Sequence, residues 1–354
     1  MQEQEQRMNN LQDREMPPIL YAVGFSPWKR RSLRTFLPET RLHFIEHIDS
    51  APPHSDLLLW GNGDIEGEEE RKVIRVEDGF LRSVGLGADL IPPVSYVFDH
   101  SGLYYDPGRP SDLETLLQHF EMDSDLLARA QWLRKHIVTQ GLTKYNVGGL
   151  TWRRPPHARH VILVPGQVES DASILLGCAS IRTNMQLLRQ VRARHPDSYL
   201  VYKPHPDVVA RLRRPGADEG EAPRHCDEVV RDVSMHALLE AVDAVHVLTS
   251  STGFEALLRA KPVTCHGVPF YSGWGLTEDC IPVARRSRRR SLDELVAAVL
   301  ILYPRYLHPL TKTLCRPEDA IAALGALREH APDRRTPLWR KGFRMVLRHV
   351  VGVR

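Results

Sequence analysis

The stretch AVHVLTSSTGFEALLRAKPVTC, residues 244–265, decides the fold. Val245–Leu248 is a largely apolar run of strand character, Gly253–Arg259 has helical composition, and Pro262–Cys265 turns apolar again. Apolar strands separated by helices indicate parallel sheets covered by helical layers. The junction Thr249-Ser250-Ser251-Thr252-Gly253 gathers hydroxyls and unpaired backbone N–H groups at a helix N-terminus, which suits an anion. Ordinary N-capping accounts for the same residues equally well. Glu255, one turn in, could reach a ribose hydroxyl or simply favour the helix dipole.

The same alternation runs outward in both directions. Upstream lie strand His160–Val164, helix Ile181–Arg194, strand Tyr199–Tyr202 and helix Met235–Val242. Nearer the start are strands at Ile19–Phe25, Leu42–Ile45, Leu57–Trp60, Val73–Val76 and Tyr96–Phe98. Ser26-Pro27 supplies an N-cap and a first-turn proline for a basic helix over Trp28–Phe36. Helices are expected from Ser111, with a capping box to Glu114, and over Leu126–Val138. The proline-rich, basic segment Thr151–Ala158 is the candidate linker. The expected organisation is a disordered N-terminus (1–16), a Rossmann-like domain (17–150), the linker (151–158), a second Rossmann-like domain (159–330) and a tail (331–354). Two such domains facing a cleft make an α/β fold, with ligands at the carboxyl ends of the strands.

Composition narrows the function. A chain of 354 residues exceeds the usual single core, so two domains are the natural expectation. The formal charge of +3 is too small to argue for nucleic acid. The five cysteines are scattered without a CxxC pair, which fits a reducing compartment. The polar start has no apolar signal core, and no run approaches the length of a spanning helix, so a cytoplasmic protein is expected. Beyond Asp333 the chain has no acid. Trp339, Phe343, Val346 and Val350 share a helical face ringed by Arg340, Lys341, Arg344 and Arg348. That pattern suits either an anionic membrane surface or a terminal helix docked on the other domain.

Three segments at strand ends can carry chemistry. In Glu77-Asp78-Gly79, the glycine permits a tight turn with positive φ, and one carboxylate can serve as base or nucleophile. An Asp-Gly turn is also ordinary structure. In Tyr202-Lys203-Pro204-His205-Pro206-Asp207, two prolines stiffen the backbone around an imidazole, and Lys203 adds a cation, a pairing suited to a phosphate. The third is the hydroxyl-rich junction at 249–253. Asp123-Ser124-Asp125 has the D-x-D form of a nucleotide-sugar metal site but stands at a helix start, where capping explains it. No GxGxxG, GxxxxGK[ST], HExxH or GxSxG is present, and the histidines show no metal-ligand spacing.

These residues make the sequence recognisable. VEDGFLRSVGLGADLIPP (76–93), GLYYDPGRPSDLE (102–114), LTKYN (142–146), VILVPGQVESDAS (161–173), VYKPHPDV (201–208) and TSSTGFEALLRAKPVTCHGVPFYSGWGLT (249–277) resemble the bacterial β-Kdo transferases of capsule polysaccharide lipid-terminus assembly. The resemblance runs from about Ile19 to Ala320 and is strongest to the second of two transferase modules that often occur fused. A single module here implies a free-standing enzyme or an excised module. The family is similar to the sialyltransferase-like group, with its acidic-acidic-Gly, His-Pro and Ser/Thr motifs.

The resemblance implies a GT-B-like fold, CMP-β-Kdo as donor, a Kdo-bearing glycolipid at the inner face of the cytoplasmic membrane as acceptor, a retained β linkage and no metal or other cofactor in the transfer step. Asp78 is then the nucleophile, assisted by Glu77. His205 stabilises or protonates the leaving phosphate, with Lys203, Pro206, Ser250, Ser251, Thr252 and Gly253 around it, and Glu255 nearby. Arg82 either grips the Kdo carboxylate or pairs with Glu77 or Asp78. Lys144, Tyr145 and Asn146 match a motif without an assigned role. Gln167, Glu169 and Asp171 match one on the acceptor side, and Trp274 lies either under the nucleotide or in the core. A CMP-sialic acid-dependent transferase and a non-catalytic glycan-binding subunit are the alternatives.

Overall fold

The computed structural model describes residues 16–63, 70–83, 92–146, 149 and 151–329. The expectations for the N-terminus and for the basic tail at 331–354 fall outside these residues. In chain order the first strands and helix are β1 (Ile19–Val23), α1 (Pro27–Phe36), β2 (Arg41–Ile45), β3 (Leu57–Trp60), β4 (Val73–Asp78) and β5 (Ser95–Asp99). Helices α2 (Asp112–His119) and α3 (Ser124–Thr139) follow, then β6 (Val161–Pro165), α4 (Ala172–Gly177), α5 (Asn184–Arg194) and β7 (Tyr199–Lys203). Next come α6 (Pro206–Val209), β8 (Glu228–Val229), α7 (Met235–Ala241), β9 (Ala244–Val247), α8 (Ser251–Leu258), β10 (Val263–Cys265) and β11 (Glu278–Asp279). The chain closes with α9 (Leu292–Val296), β12 (Pro304–Leu307), β13 (Leu314–Cys315) and α10 (Pro317–Glu329).

Two Rossmann-like units result. The described residues within Met1–Arg82, Pro92–His136 and Asp293–Leu324 form the first, and those within Ser83–Ile91, Ile137–Leu292 and Gly325–Arg354 form the second. The first contains a seven-stranded sheet ordered β13-β12-β5-β4-β3-β1-β2. Its β2-β1-β3-β4 half is parallel, as the alternation predicts, but β5 runs antiparallel to β4 and β12 antiparallel to β5. The second unit holds a six-stranded, wholly parallel sheet ordered β11-β10-β9-β6-β7-β8.

The division expected at 151–158 is not the one observed. Trp152 Nε1 donates to Glu228 at 3.1 Å and Arg154 pairs with Asp243 at 2.8 Å, so this segment is docked on the second unit rather than linking two bodies. The crossing instead falls within α3, and residues 293–324 return to complete the first sheet.

Local chemistry explains most elements. Thr183 and Gln186 form a capping box at α5, and Ser111 caps α2 by accepting from Glu114 N–H at 3.1 Å. Asp123 Oδ1 accepts from Leu126 N–H at 2.8 Å, so the D-x-D is helix-start chemistry. Ser26 occupies the N-cap position of α1 with Pro27 behind it, but its hydroxyl makes no capping bond. The first core packs Leu33 and Phe36 of α1 on Ile74, Val76, Tyr96 and Phe98, with the Phe36 and Tyr96 rings 4.4 Å apart. The second joins β6, β7 and α5 through Ile162, Val164, Leu188, Val191, Leu200 and Tyr202.

Candidate active site

In the first sheet β1 leads to β2 on one side and β3 and β4 lie on the other, so the strand order reverses between β1 and β3. Ligands of doubly wound sheets bind outside the carboxyl ends of the strands at such a point. There α1 leaves β1, Trp60 ends β3, and Glu77-Asp78 ends β4. Asp78 pairs with Tyr96 of β5 across the ladder. Its Oδ2 accepts from Arg82 Nε at 2.6 Å; Arg82 is 5% exposed and the Asp78 side chain 21%. Oδ1 of Asp78 has no hydrogen-bond partner among the described residues. Arg82 therefore orients the carboxylate, one of its two expected roles.

Glu77 serves its neighbour. Its Oε1 accepts from the Asp78 backbone N–H at 2.9 Å, and the Tyr105 hydroxyl stands 3.5 Å from Oε2. The Tyr104 hydroxyl donates to the Asp78 carbonyl at 3.2 Å. Gly79 does not have the expected positive φ. A Cβ there would lie 2.2 Å from Ser95 Oγ and 2.8 Å from Ser95 Cβ, so glycine is required by the close approach of β5.

Sequence reasoning missed Lys29. Its ammonium lies 3.3 Å from the centroid of the Trp60 ring. Burial lowers its pKa to about 8, against the raising influence of Glu77 and Asp78, with Arg82 adding to the depression. The available signal was position, since Lys29 follows the first strand by one helical turn. Tyr104 and Tyr105 belong to a motif quoted above, but nothing in their local sequence aims them at the carboxylates.

In the second sheet the reversal lies between β6 and β9, and the loops leaving those strands meet. Gln167 Nε2 donates to Thr249 Oγ1 at 3.1 Å, while Thr249 N–H donates to Gln167 Oε1 at 2.9 Å. Glu169 accepts from the N–H groups of Asn184 and Ala217, both at 2.8 Å. Asp171 caps α4 through Ser173 N–H. Gln167 and Glu169, expected towards the acceptor, thus spend their polar atoms bracing the loop.

Lys203 donates to the carbonyls of Val233 at 2.7 Å and Arg231 at 3.3 Å, and burial lowers its pKa to about 8 despite Asp232. Its ammonium is thus engaged by backbone rather than presented to a phosphate. His205 is the N-cap of α6, with Pro206 at the first helical position, and its Nδ1 accepts from Asp207 N–H at 3.2 Å. That bond leaves Nε2 carrying the proton of the neutral ring. Burial pushes the imidazole below its usual pKa, Lys144 and Arg213 push the same way, and Asp207 and Asp171 oppose them.

Ser250 caps α8 by accepting from Thr252 N–H at 3.2 Å. The Tyr271 hydroxyl donates to the Ser250 carbonyl at 2.5 Å, passing where a Cβ on Gly253 would sit 2.1 Å away. Gly253 is thus needed for that tyrosine, and Ser251 opens the helix beside it. Glu255 is buried, and its Oε1 accepts from the Lys144 backbone N–H at 2.7 Å rather than being presented to a ligand. Burial raises its pKa, opposed by the Lys144 N–H and by Arg259.

Glu255 thereby anchors the 142–146 loop. Asn146, at φ 53°, closes the loop by accepting from Thr143 N–H at 2.8 Å and donating to the Ser83 carbonyl at 3.0 Å. Tyr145 stands edge-on to the His205 ring, 6.4 Å between centroids, with Lys144 Nζ 5.6 Å over the Tyr145 ring. The structure thus brings Lys144, Tyr145 and His205 together. Trp274 is fully buried and donates to the Phe270 carbonyl at 3.0 Å, which places it in the core. No group of three or more His, Cys, Asp or Glu side chains among the described residues could hold a metal ion.

The chain belongs to the capsule polysaccharide biosynthesis protein family, whose model matches residues 64–134 and 155–306. It is 43% identical over 317 residues to the capsule polysaccharide modification protein LipA of Neisseria meningitidis serogroup A, covering 86% of this chain and 45% of that one. It is 39% identical over 338 residues to the lipopolysaccharide-processing protein LpsZ of Rhizobium meliloti, covering 90% and 77%. The chain thus spans less than half the length of LipA. Among solved structures it is similar to the Thermosulfurimonas dismutans KpsC β-Kdo 2,7 transferase, with 37% identity and a TM-score of 0.72 over 87% of this chain and 99% of that one. The β-Kdo 2,4 transferase of the same KpsC matches at 31% identity and a TM-score of 0.76, over 88% and 99%. The kinship expected from the sequence motifs is borne out. Among the described residues, no helix is long and apolar enough to cross a membrane.

Proposed function

We propose that this chain is a glycosyltransferase that moves Kdo from CMP-β-Kdo to a Kdo-bearing glycolipid in capsule assembly, with a β linkage retained through Asp78. One observation carries the reading. A carboxylate with one oxygen fixed by Arg82 and the other unpartnered among the described residues ends a strand, in a chain that matches two KpsC β-Kdo transferases over 99% of each. The higher identity to the 2,7 enzyme, 37% against 31%, favours a β-(2→7) product, although the TM-scores order the two the other way. Identity is the better guide to linkage, since the TM-score reports the backbone that both linkages share.

In this reading an Asp78 oxygen bonds to C2 of the sugar while the C2–O bond to phosphate breaks, and CMP leaves with the electron pair. A hydroxyl of the acceptor then attacks C2, the ester bond to Asp78 breaks, and the hydroxyl proton passes to the freed carboxylate. Two inversions give retention. Glu77 keeps the backbone of Asp78 in place. In the second unit, Nε2–H of neutral His205 and the start of α8, with Ser250, Ser251 and Thr252, are groups suited to an anionic phosphate. Charge handling is assigned to side chains and backbone, so no metal or cofactor is part of the proposal.

The test is CMP release together with intact-protein mass after exposure to CMP-Kdo. The parent should release CMP and carry a Kdo-sized adduct on the peptide containing Asp78. Asp78→Asn should lose turnover by about 10⁴-fold or more and show no adduct. Wild-type turnover by Asp78→Asn would remove the nucleophile. Release from CMP-sialic acid alone would replace the donor, and no release from either would favour a binding subunit. For the basic segment 331–354 the same reading proposes a seat on an anionic membrane surface. Co-sedimentation with phosphatidylglycerol vesicles should fall when that segment is deleted, and unchanged binding would remove the membrane role.

A further inference from the structure

We infer that Lys29, with Arg82, forms the receptor for the carboxylate group of the transferred keto-sugar, directly beside Asp78. This rests on the transferase reading above and adds a specificity-determining residue to it.

Lys29 projects from the first turn of α1, at the carboxyl end of β1, and lies over Trp60 at the end of β3. Trp60 is in register with Val76, so the aromatic face that carries the ammonium adjoins the strand end bearing Glu77 and Asp78. These three strand ends are neighbours at the point where the order of the first sheet reverses. Within that cluster Arg82 is already bonded to Asp78. Lys29 Nζ has no hydrogen-bond acceptor and no ion pair among the described residues, and the ammonium itself sits over the indole ring. An ammonium with three donors is thus held half-buried without an acceptor, next to the carboxylate proposed to react.

Charge balance points to the class of sugar. Among the described residues, the charges that act on one another here are two carboxylates, Glu77 and Asp78, and two cations, Lys29 and Arg82. When Asp78 becomes a sugar ester it loses its negative charge, and two cations face one carboxylate in a partly buried site. A sugar bearing its own carboxylate on the reacting carbon restores the balance at that step. A neutral sugar leaves one buried positive charge uncompensated, which is costly in such surroundings. The site therefore favours 2-keto-3-deoxy acids over neutral sugars in the covalent step itself, not only in initial binding. The depressed pKa of Lys29 agrees with an ammonium that lacks a full partner until substrate arrives.

The test compares CMP-Kdo with its C1-carboxamide analogue as donor, by CMP release, for the parent, Lys29→Met and Lys29→Arg. Lys29→Met keeps an apolar stem over Trp60, and melting curves check that it folds. The parent should prefer the carboxylate donor. Lys29→Met should lose roughly 10- to 100-fold in kcat/KM for that donor and little for the amide, so the preference collapses. Lys29→Arg should restore most of the preference. It should also move the alkaline fall in kcat/KM, which starts near pH 8 in the parent, to higher pH. The charged groups that act on Lys29 and bear on this profile are Glu77, Asp78 and Arg82. An unchanged preference in Lys29→Met would overturn the assignment and leave the transferase reading standing. Absence of any CMP release from CMP-Kdo by the parent would overturn both.

Discussion

Replacing Gly79 with alanine tests the junction on which Asp78 depends. The new Cβ would meet Ser95 Oγ at 2.2 Å, Ser95 Cβ at 2.8 Å and the Ser95 carbonyl carbon at 3.3 Å. The first two distances are far inside contact, and Ser95 is fully buried, so its side chain cannot swing clear. The end of β4 must lift off β5, weakening the bond from Gly79 N–H to the Ser95 carbonyl, now 2.9 Å. Overpacking of this kind costs about 1–3 kcal/mol, and the weakened hydrogen bond adds about 1 kcal/mol. Because Asp78 is the adjacent residue, a shift approaching an ångström should cost turnover on the order of 100-fold. Urea unfolding gives the stability change and CMP release the activity change. The partner substitution Ser95→Gly removes both close contacts and leaves only the one at 3.3 Å, so the double variant should regain more than half of each loss. A Gly79→Ala protein within 0.5 kcal/mol of the parent and fully active would refute the reasoning, as would a double variant no better than the single.

The buried acids make stability depend on pH. Asp99 has its pKa raised to about 6 by burial and by Asp112, against bonds from Tyr303, Gly102 and Ser101, and burial raises Glu255 as well. The folded protein then holds protons that the unfolded chain releases, so stability should fall as pH rises from about 4 to about 6 and flatten above for Asp99. Each acid contributes a slope of at most about 1.4 kcal/mol per pH unit. Asp99→Asn, though weakened at every pH by setting an amide among three N–H donors, should flatten that slope, and Glu255→Gln should flatten it from about pH 4.5 upward. Urea midpoints measured across pH 4 to 7 check this, and slopes unchanged in both variants would contradict it.

Much of the fold was legible because its signals are local. Largely apolar runs at 19–23, 57–60, 161–165 and 199–203 became parallel strands, and the loops after β6 and β9 meet where the strand order reverses. What escaped was non-local. Nothing near Asp99 announces that Tyr303, 204 residues away, donates to its carboxylate at 2.6 Å and brings β12 to the sheet. The candidate site divided along the same line. Sequence names a side chain but not its direction, so Gln167, Glu169, Lys203 and Glu255 suggested ligand contacts and proved to be braces between loops. Gly79 was selected as important for the wrong reason, because a close strand approach and a left-handed turn both call for glycine. Lys29 escaped because a lysine in a basic helix is ordinarily solvated, and only the packing of α1 against β3 sets it over Trp60.

The return of residues 293–324 to the first sheet bears on how the chain is made. During synthesis β5 emerges long before the strand that covers its open edge, since β12 begins at Pro304. At ribosomal rates of about 5–20 residues per second, that interval is roughly 10–40 s. The wholly parallel sheet of the second unit is finished first, although it comes later in the chain. Until β12 arrives, β5 presents an unpaired edge, the kind of surface on which nascent chains aggregate. The part of the protein that carries Asp78 is therefore the last to be sealed, and its yield in a cell depends on how well that edge is shielded in the meantime.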